Sequence, residues 1–172
     1  MRIHQAIQAT TALAAGIFIT FSQVHDSSTA IIGLLVLCAG WLAASVVTAV
    51  RNFGEPGTSV HIVVAGGTIL MAIFAILTAN SPIYIGTWLL LAHWGFYGAV
   101  IEAIFAKQAP AKSPARRDHL IGMALGLGLY LSQAIIMIAG NDPVSQVGFF
   151  GAYAVIIGVH LGIAAASPAV AK

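Results

Sequence analysis

The chain has 172 residues, of which 59% are hydrophobic and only 7% charged, and its mean hydropathy is +0.96. A soluble domain carries roughly 25% charged residues, so a soluble globular fold is excluded and an integral membrane protein is predicted. The net charge of +2 says nothing about nucleic acid, which is not expected as a partner, and the single cysteine, Cys38, allows neither an intrachain disulfide nor a thiolate metal cluster.

Six apolar segments follow one another, predicting six transmembrane helices at about 5–23, 29–50, 58–79, 83–106, 119–139 and 144–166 in a single membrane domain. The first follows Arg2 and has the look of a signal peptide, but no small-residue cleavage site comes after Phe21, so it is read as a span. Short polar turns separate the spans at Val24–Ser28, Arg51–Gly57, Asn80–Pro82 and Gly140–Pro143, and one longer loop runs from Lys107 to Asp118. Ser81 before Pro82 and Asp142 before Pro143 read as N-caps followed by a proline at the first helical position. The loop, reading KQAPAKSPARRD, reads as a flexible linker.

The basic residues fix an orientation. Arg2, Arg51, Lys107, Lys112, Arg116, Arg117 and Lys172 all fall on one side of a six-span arrangement, while the opposite turns carry Asp26 and Asp142. The positive-inside rule makes the basic side cytoplasmic, with both termini inside.

The fourth span holds His93 and Glu102, polar groups that are costly inside a bilayer and therefore functional candidates. Nine residues at about 100° each put them on opposite faces of one helix. Glu102 shares its face with Gly95, Gly98 and Ala99, which suits close helix packing, whereas His93 shares its face with Leu89, Leu90 and Tyr97. Glu102, His160 and His61 all fall in the cytoplasmic half of their spans. Either histidine is a candidate partner for Glu102, and snorkelling toward the interface is the alternative. His93 and His160 differ in depth by about 9 Å, which disfavours a shared haem. A backbone carbonyl or Tyr97 would satisfy His93 as a packing residue. Tyr130, Ser132, Gln133, Thr20 and Ser22 either line a polar path or bond across helices or to their own preceding turn.

The second and fourth spans align without gaps from Ile32-Gly33 to Gly40-Trp41 and from Ile85-Gly86 to His93-Trp94, and the sixth fits loosely at Val147-Gly148. The repeating unit is a helical hairpin, present three times. Gly122-xxx-Gly126, Ala124-xxx-Gly128 and Gly158-xxx-Gly162 add small-residue faces. With Ala65-Gly66-Gly67, Asn80-Ser81-Pro82, Gly95 and Asp142-Pro143…Gly148…Gly151, the chain resembles the HdeD family of small six-span bacterial membrane proteins. The resemblance implies a bacterial cytoplasmic (inner) membrane protein, linked in the family's founding member to acid resistance, with no catalytic residues to carry over.

No Walker loop, G-x-S-x-G elbow, H-E-x-x-H or paired intramembrane carboxylates occur. The expectation is an all-α, non-enzymatic multispan protein without catalytic residues, cofactor or metal. Its partners are membrane lipid and either further copies of itself or a larger membrane complex in which it is an accessory subunit. The alternative is a proton-linked transporter or channel built on Glu102, His160, His61 and His93.

Overall fold

The computed structural model describes residues 3–55, 57–79 and 85–167. Among them all regular structure is helical: α1 (Ile3–Phe21), α2 (Ser27–Arg51), α3 (Thr58–Ala79), α4 (Ile85–Gln108), α5 (Pro114–Ile138) and α6 (Pro143–Ala166). Five of them, α2 to α6, are long and apolar enough to cross a membrane. Helix α1 has 19 residues and opens with the polar run His4, Gln5 and Gln8.

Capping chemistry sets several helix starts. Asp26 accepts a hydrogen bond from the Thr29 N–H at 2.9 Å and begins α2. Asp142 accepts from the N–H groups of Val144 and Ser145, with Pro143 in the first turn of α6. The cap expected at Ser81-Pro82 lies outside the described residues, as do Arg2 and Lys172. A further cap of this kind occurs where a flexible linker was expected. Ser113 accepts from the Arg116 N–H at 3.1 Å and Pro114 follows it, so α5 starts within the basic stretch and only residues 109–113 connect it to α4. Proline at this position lacks an N–H that would go unpaired anyway and has its φ already helical.

The helices form a ring in chain order, each packed on the next, and α6 closes on α1. The pairings of α4 with α5 and of α1 with α6 are the most extensive, and that of α3 with α4 is the slightest around the ring. Helix α2 also touches α4 and α6, which places it nearest the centre. The interior is filled by Ile19, Leu34, Leu37, Leu91, Trp94, Val147 and Phe150, all under 2% or at most 2% exposed.

Glycine sets the two tight pairings. A Cβ at Gly95 would come 2.7 Å from the Gly126 carbonyl oxygen, and one at Gly126 would come 2.6 Å from the Gly95 carbonyl oxygen, so two backbones touch there. Gly16 lies against the backbone of Val155 and Gly158 against that of Leu13, joining α1 to α6. Gly98 sits 3.8 Å from the Tyr153 hydroxyl by the same measure. In lipid, where apolar burial between helices gains little, such close approach supplies the packing attraction. Gly128 has open space beside it, and Ala124 is exposed, so that small-residue stripe faces outward.

The outer surface is apolar. Helix α3 buries only Val64, Thr68 and Ala75, and exposes Val63, Leu70, Phe74 and Leu77 among others. Such a surface is a liability in water and costs nothing against acyl chains.

Candidate functional site

Glu102 leaves α4 toward α5 and meets a gap in the wall of that helix. A Cβ at Gly122 would lie 3.0 Å from the Glu102 Cδ, so glycine there makes room for the carboxyl group. One turn earlier on α5, His119 Nδ1 lies 2.6 Å from Glu102 Oε2. The imidazole N–H donates and the carboxylate accepts, at the short end of charge-assisted hydrogen bonds. Both side chains are partly screened, at 23% exposure for His119 and 20% for Glu102.

The partner of Glu102 is therefore His119, where His160 or His61 was expected. Those two histidines nonetheless converge on the same place. His61 of α3 and His119 of α5 each lie against the Phe105 ring of α4, with centroids 5.3 and 5.4 Å from it. His160 of α6 donates from Nε2 to the Asp118 carbonyl oxygen at 3.0 Å, which ties α6 to the first turns of α5.

These groups surround a cavity of about 290 Å³ to which all six helices contribute. Helix α1 supplies His4, Gln5 and Gln8, and α2 supplies Trp41, Ser45, Thr48 and Asn52. The others supply His61, Glu102, Phe105, Asp118, His119, Gly122 and His160, with Ala44, Val64, Ile101 and Leu161 as apolar wall. A second hollow of about 160 Å³ shares His4, Thr48 and Asn52 and adds Arg51. Every one of these residues sits toward the end of the bundle where α1, α3 and α5 start and α2, α4 and α6 finish. Along α2 the lining runs from Asn52 to Trp41, about 16 Å at the helical rise, or about half the hydrocarbon thickness. Deeper in, Trp41 packs edge-on against Trp94 with centroids 5.6 Å apart, and the fully buried core begins.

His93 takes no part. It is exposed on the outer face of α4, and its Nδ1–H donates to the Leu89 carbonyl oxygen at 2.8 Å. Nine residues of helix turn it away from the side on which Glu102 lies. Tyr97 does not reach it either: the Tyr97 hydroxyl donates to the Val64 carbonyl oxygen of α3 at 2.8 Å. The suggested polar path also dissolves into local bonds. Thr20, Ser22 and Ser132 donate to Gly16, Phe18 and Leu129 of their own helices. Tyr130 stacks against Phe96 on the surface. Only Gln133 bridges helices, donating to the Gln146 carbonyl oxygen at 3.0 Å near the far end.

His119, Asp118 and His4 were not singled out by sequence reasoning. The signal for His119 was present: residues 102 and 119 lie almost equally far from the middle of the 109–113 connection, so an antiparallel pair of helices sets them at one depth. Among the described residues no group of three or more His, Cys, Asp or Glu is placed to hold a metal ion.

Fold and composition define a membrane-type protein, all-helical among the described residues, with a vestibule lined by both polar and apolar side chains at its basic end. No family model, curated protein or solved structure matches the chain.

Proposed function

We propose that this chain is a non-enzymatic, proton-linked transporter of a small polar solute, with the vestibule as its binding site and the Glu102–His119 pair as its proton-exchanging element. One observation carries the reading: polar side chains from all six helices converge on a single cavity around that pair. Groups that merely satisfied themselves would bond locally, as Thr20, Ser22, His93 and the lining residue Thr48 do, whereas Glu102, His119 and His160 bond across helices. Histidine is also the side chain type whose charge changes most readily near neutral pH. The cavity opens at one end and meets packed core at the other, the form expected of one state of an alternating cycle. The orientation we infer is six spans in a bacterial cytoplasmic membrane with both termini inside, supported by the one-sided basic residues.

The test is proteoliposomes loaded with a pH dye and offered a panel of small polar solutes. At least one solute should drive proton movement that is lost in Glu102→Gln. No proton movement with any solute would remove the reading.

A second reading is an HdeD-like hairpin protein that works as a homo-oligomer or as an accessory subunit of a larger membrane complex. Its support is twofold. Gly33 of α2 sits against Ile19 of α1, and Gly86 of α4 sits against Thr78 of α3, so aligned glycines contact the preceding helix in both hairpins. The aligned tryptophans Trp41 and Trp94 meet each other. Gly148, the counterpart in α6, has nothing beside it, which fits the looser third copy. Helix α3, held lightly by α4, is the face a second copy would cover. Native mass measurement in mild detergent decides: a lone monomer with no co-purifying protein removes this reading.

A further inference from the structure

We infer that the vestibule takes a small organic cation, such as an amine or quaternary ammonium, and that this cation and a proton compete for Glu102. The inference rests on the proposed vestibule site and names its ligand class.

The sign of the lining decides the class. Among the described residues two carboxylates and four imidazoles line the cavity, and no lysine or arginine does. This is notable because Arg51, Lys107, Lys112, Arg116 and Arg117 all belong to the same end of the bundle. Lys107, Lys112 and Arg117 are exposed there, where screening is strong beyond about 10 Å in salt. An anion would therefore meet the Glu102 carboxylate at close range and, among the described residues, no permanent cation within the cavity. A cation would meet Glu102, hydrogen-bond acceptors such as Ser45 and Thr48, and the indole of Trp41, a good cation–π surface. A volume of about 290 Å³ lies at the lower limit for drug-sized ligands, roughly 300 Å³, so the ligand is small.

Competition follows from the pair. When His119 is protonated its N–H satisfies Glu102, and the two together are neutral. An arriving ammonium displaces that interaction, takes the carboxylate, and leaves His119 to release its proton to water. One positive charge enters and one leaves. Other titratable groups face the same space: His4 from α1, His61 from α3, Asp118 from α5 and His160 from α6, and the Tyr153 hydroxyl of α6 lies against Gly98, about one turn from Glu102 on α4. Helix α2 contributes Arg51 to the adjoining hollow only.

The experiment is calorimetric titration of the full chain in mild detergent with tetramethylammonium chloride, in two buffers of different ionisation heat. Sodium chloride, sodium acetate and glycerol serve as controls. Tetramethylammonium should bind saturably, release close to one proton per cation, and bind more weakly as pH falls. Glu102→Gln should weaken binding by about ten- to a hundredfold, as expected for losing one close charge–charge contact, and abolish proton release. His119→Gln, which keeps the carboxylate, should still bind the cation with less proton release. Acetate or glycerol binding in place of the cation, or cation binding without proton release in the unmodified chain, overturns the inference. Cation binding with proton release but no transport in proteoliposomes upholds the ligand class and defeats the transporter reading. Proton-coupled flux of a neutral or anionic solute does the reverse.

Discussion

The two ends of the bundle are built on opposite principles. At the basic end, polar side chains from six helices surround open space, and their strongest link is a carboxylate–imidazole pair. Toward the other end, Trp94, Leu34, Leu37 and Phe150 close the interior completely, and Gly95 and Gly126 bring two helix backbones into contact. Packing density holds a membrane fold together, so a hollow half is tolerable only if the sealed half is tight. Substitutions in the sealed half should cost stability, whereas those in the hollow half should cost ligand or proton handling.

The largest expected effect is Trp94→Ala. It removes a side chain that is 2% exposed and packed on Trp41 and Tyr97, and should cost about 3–5 kcal/mol, read as a lowered melting temperature in detergent. An unchanged melt would mean the core is not sealed there. Next is Gly126→Leu, which forces a side chain into the Gly95 and Ala99 backbones. Overpacking of this kind typically costs about 1–3 kcal/mol, and backbone leaves little room to yield, so α4 and α5 should separate as well. Cross-linking of cysteines placed at the edges of α4 and α5 would report it.

His119→Ala should cost less, about 1 kcal/mol, the ordinary worth of one hydrogen bond, because both partners keep some access to water. A loss as large as that of Trp94→Ala would show that the vestibule is structural core and would erase the contrast between the ends.

The smallest effect belongs to Asp142, fully exposed at the start of α6. The Ser145 hydroxyl and backbone N–H, with the Val144 N–H, hold its carboxyl below the ordinary value of 3.8. A lowered value means that the cap stabilises the fold above the ordinary carboxyl range and loses that contribution as pH falls through the lowered one. Asp142→Ala should therefore melt slightly lower than the unmodified chain at pH 7, and the gap should close in strong acid. A gap that widened in acid would contradict the sign.

Hydropathy made the all-helical architecture legible, because an unbroken apolar run of some 20 residues has few other uses. The Asp142-Pro143 start was legible for a local reason, a cap followed by a proline. The Ser113-Pro114 start is the same device, but it sits in a basic, alanine- and proline-rich stretch whose composition argues for a linker. Glu102 stood out through the cost of its charge, and helical spacing set His93 on the opposite face, but it did not say that this face is the outer one. The cavity was not legible, because it depends on α6 closing against α1, which brings His160 and His4 to one space. No local pattern encodes that closure. The pairing of Glu102 with His119 depended on where α5 starts, and an error of a few residues there hid it.

If the bundle is hollow only at its basic end, water and small solutes reach its middle from that end alone. Thr48 lines both hollows and Leu37, about three turns deeper on α2, is fully buried. In a Cys38→Ala background, Thr48→Cys and Leu37→Cys should be exposed to a membrane-impermeant thiol reagent in vesicles of each orientation. Thr48→Cys should react only when the basic end faces the reagent, and Leu37→Cys should react in neither orientation. Reaction of Thr48→Cys from the opposite side, or of Leu37→Cys from either side, would contradict it.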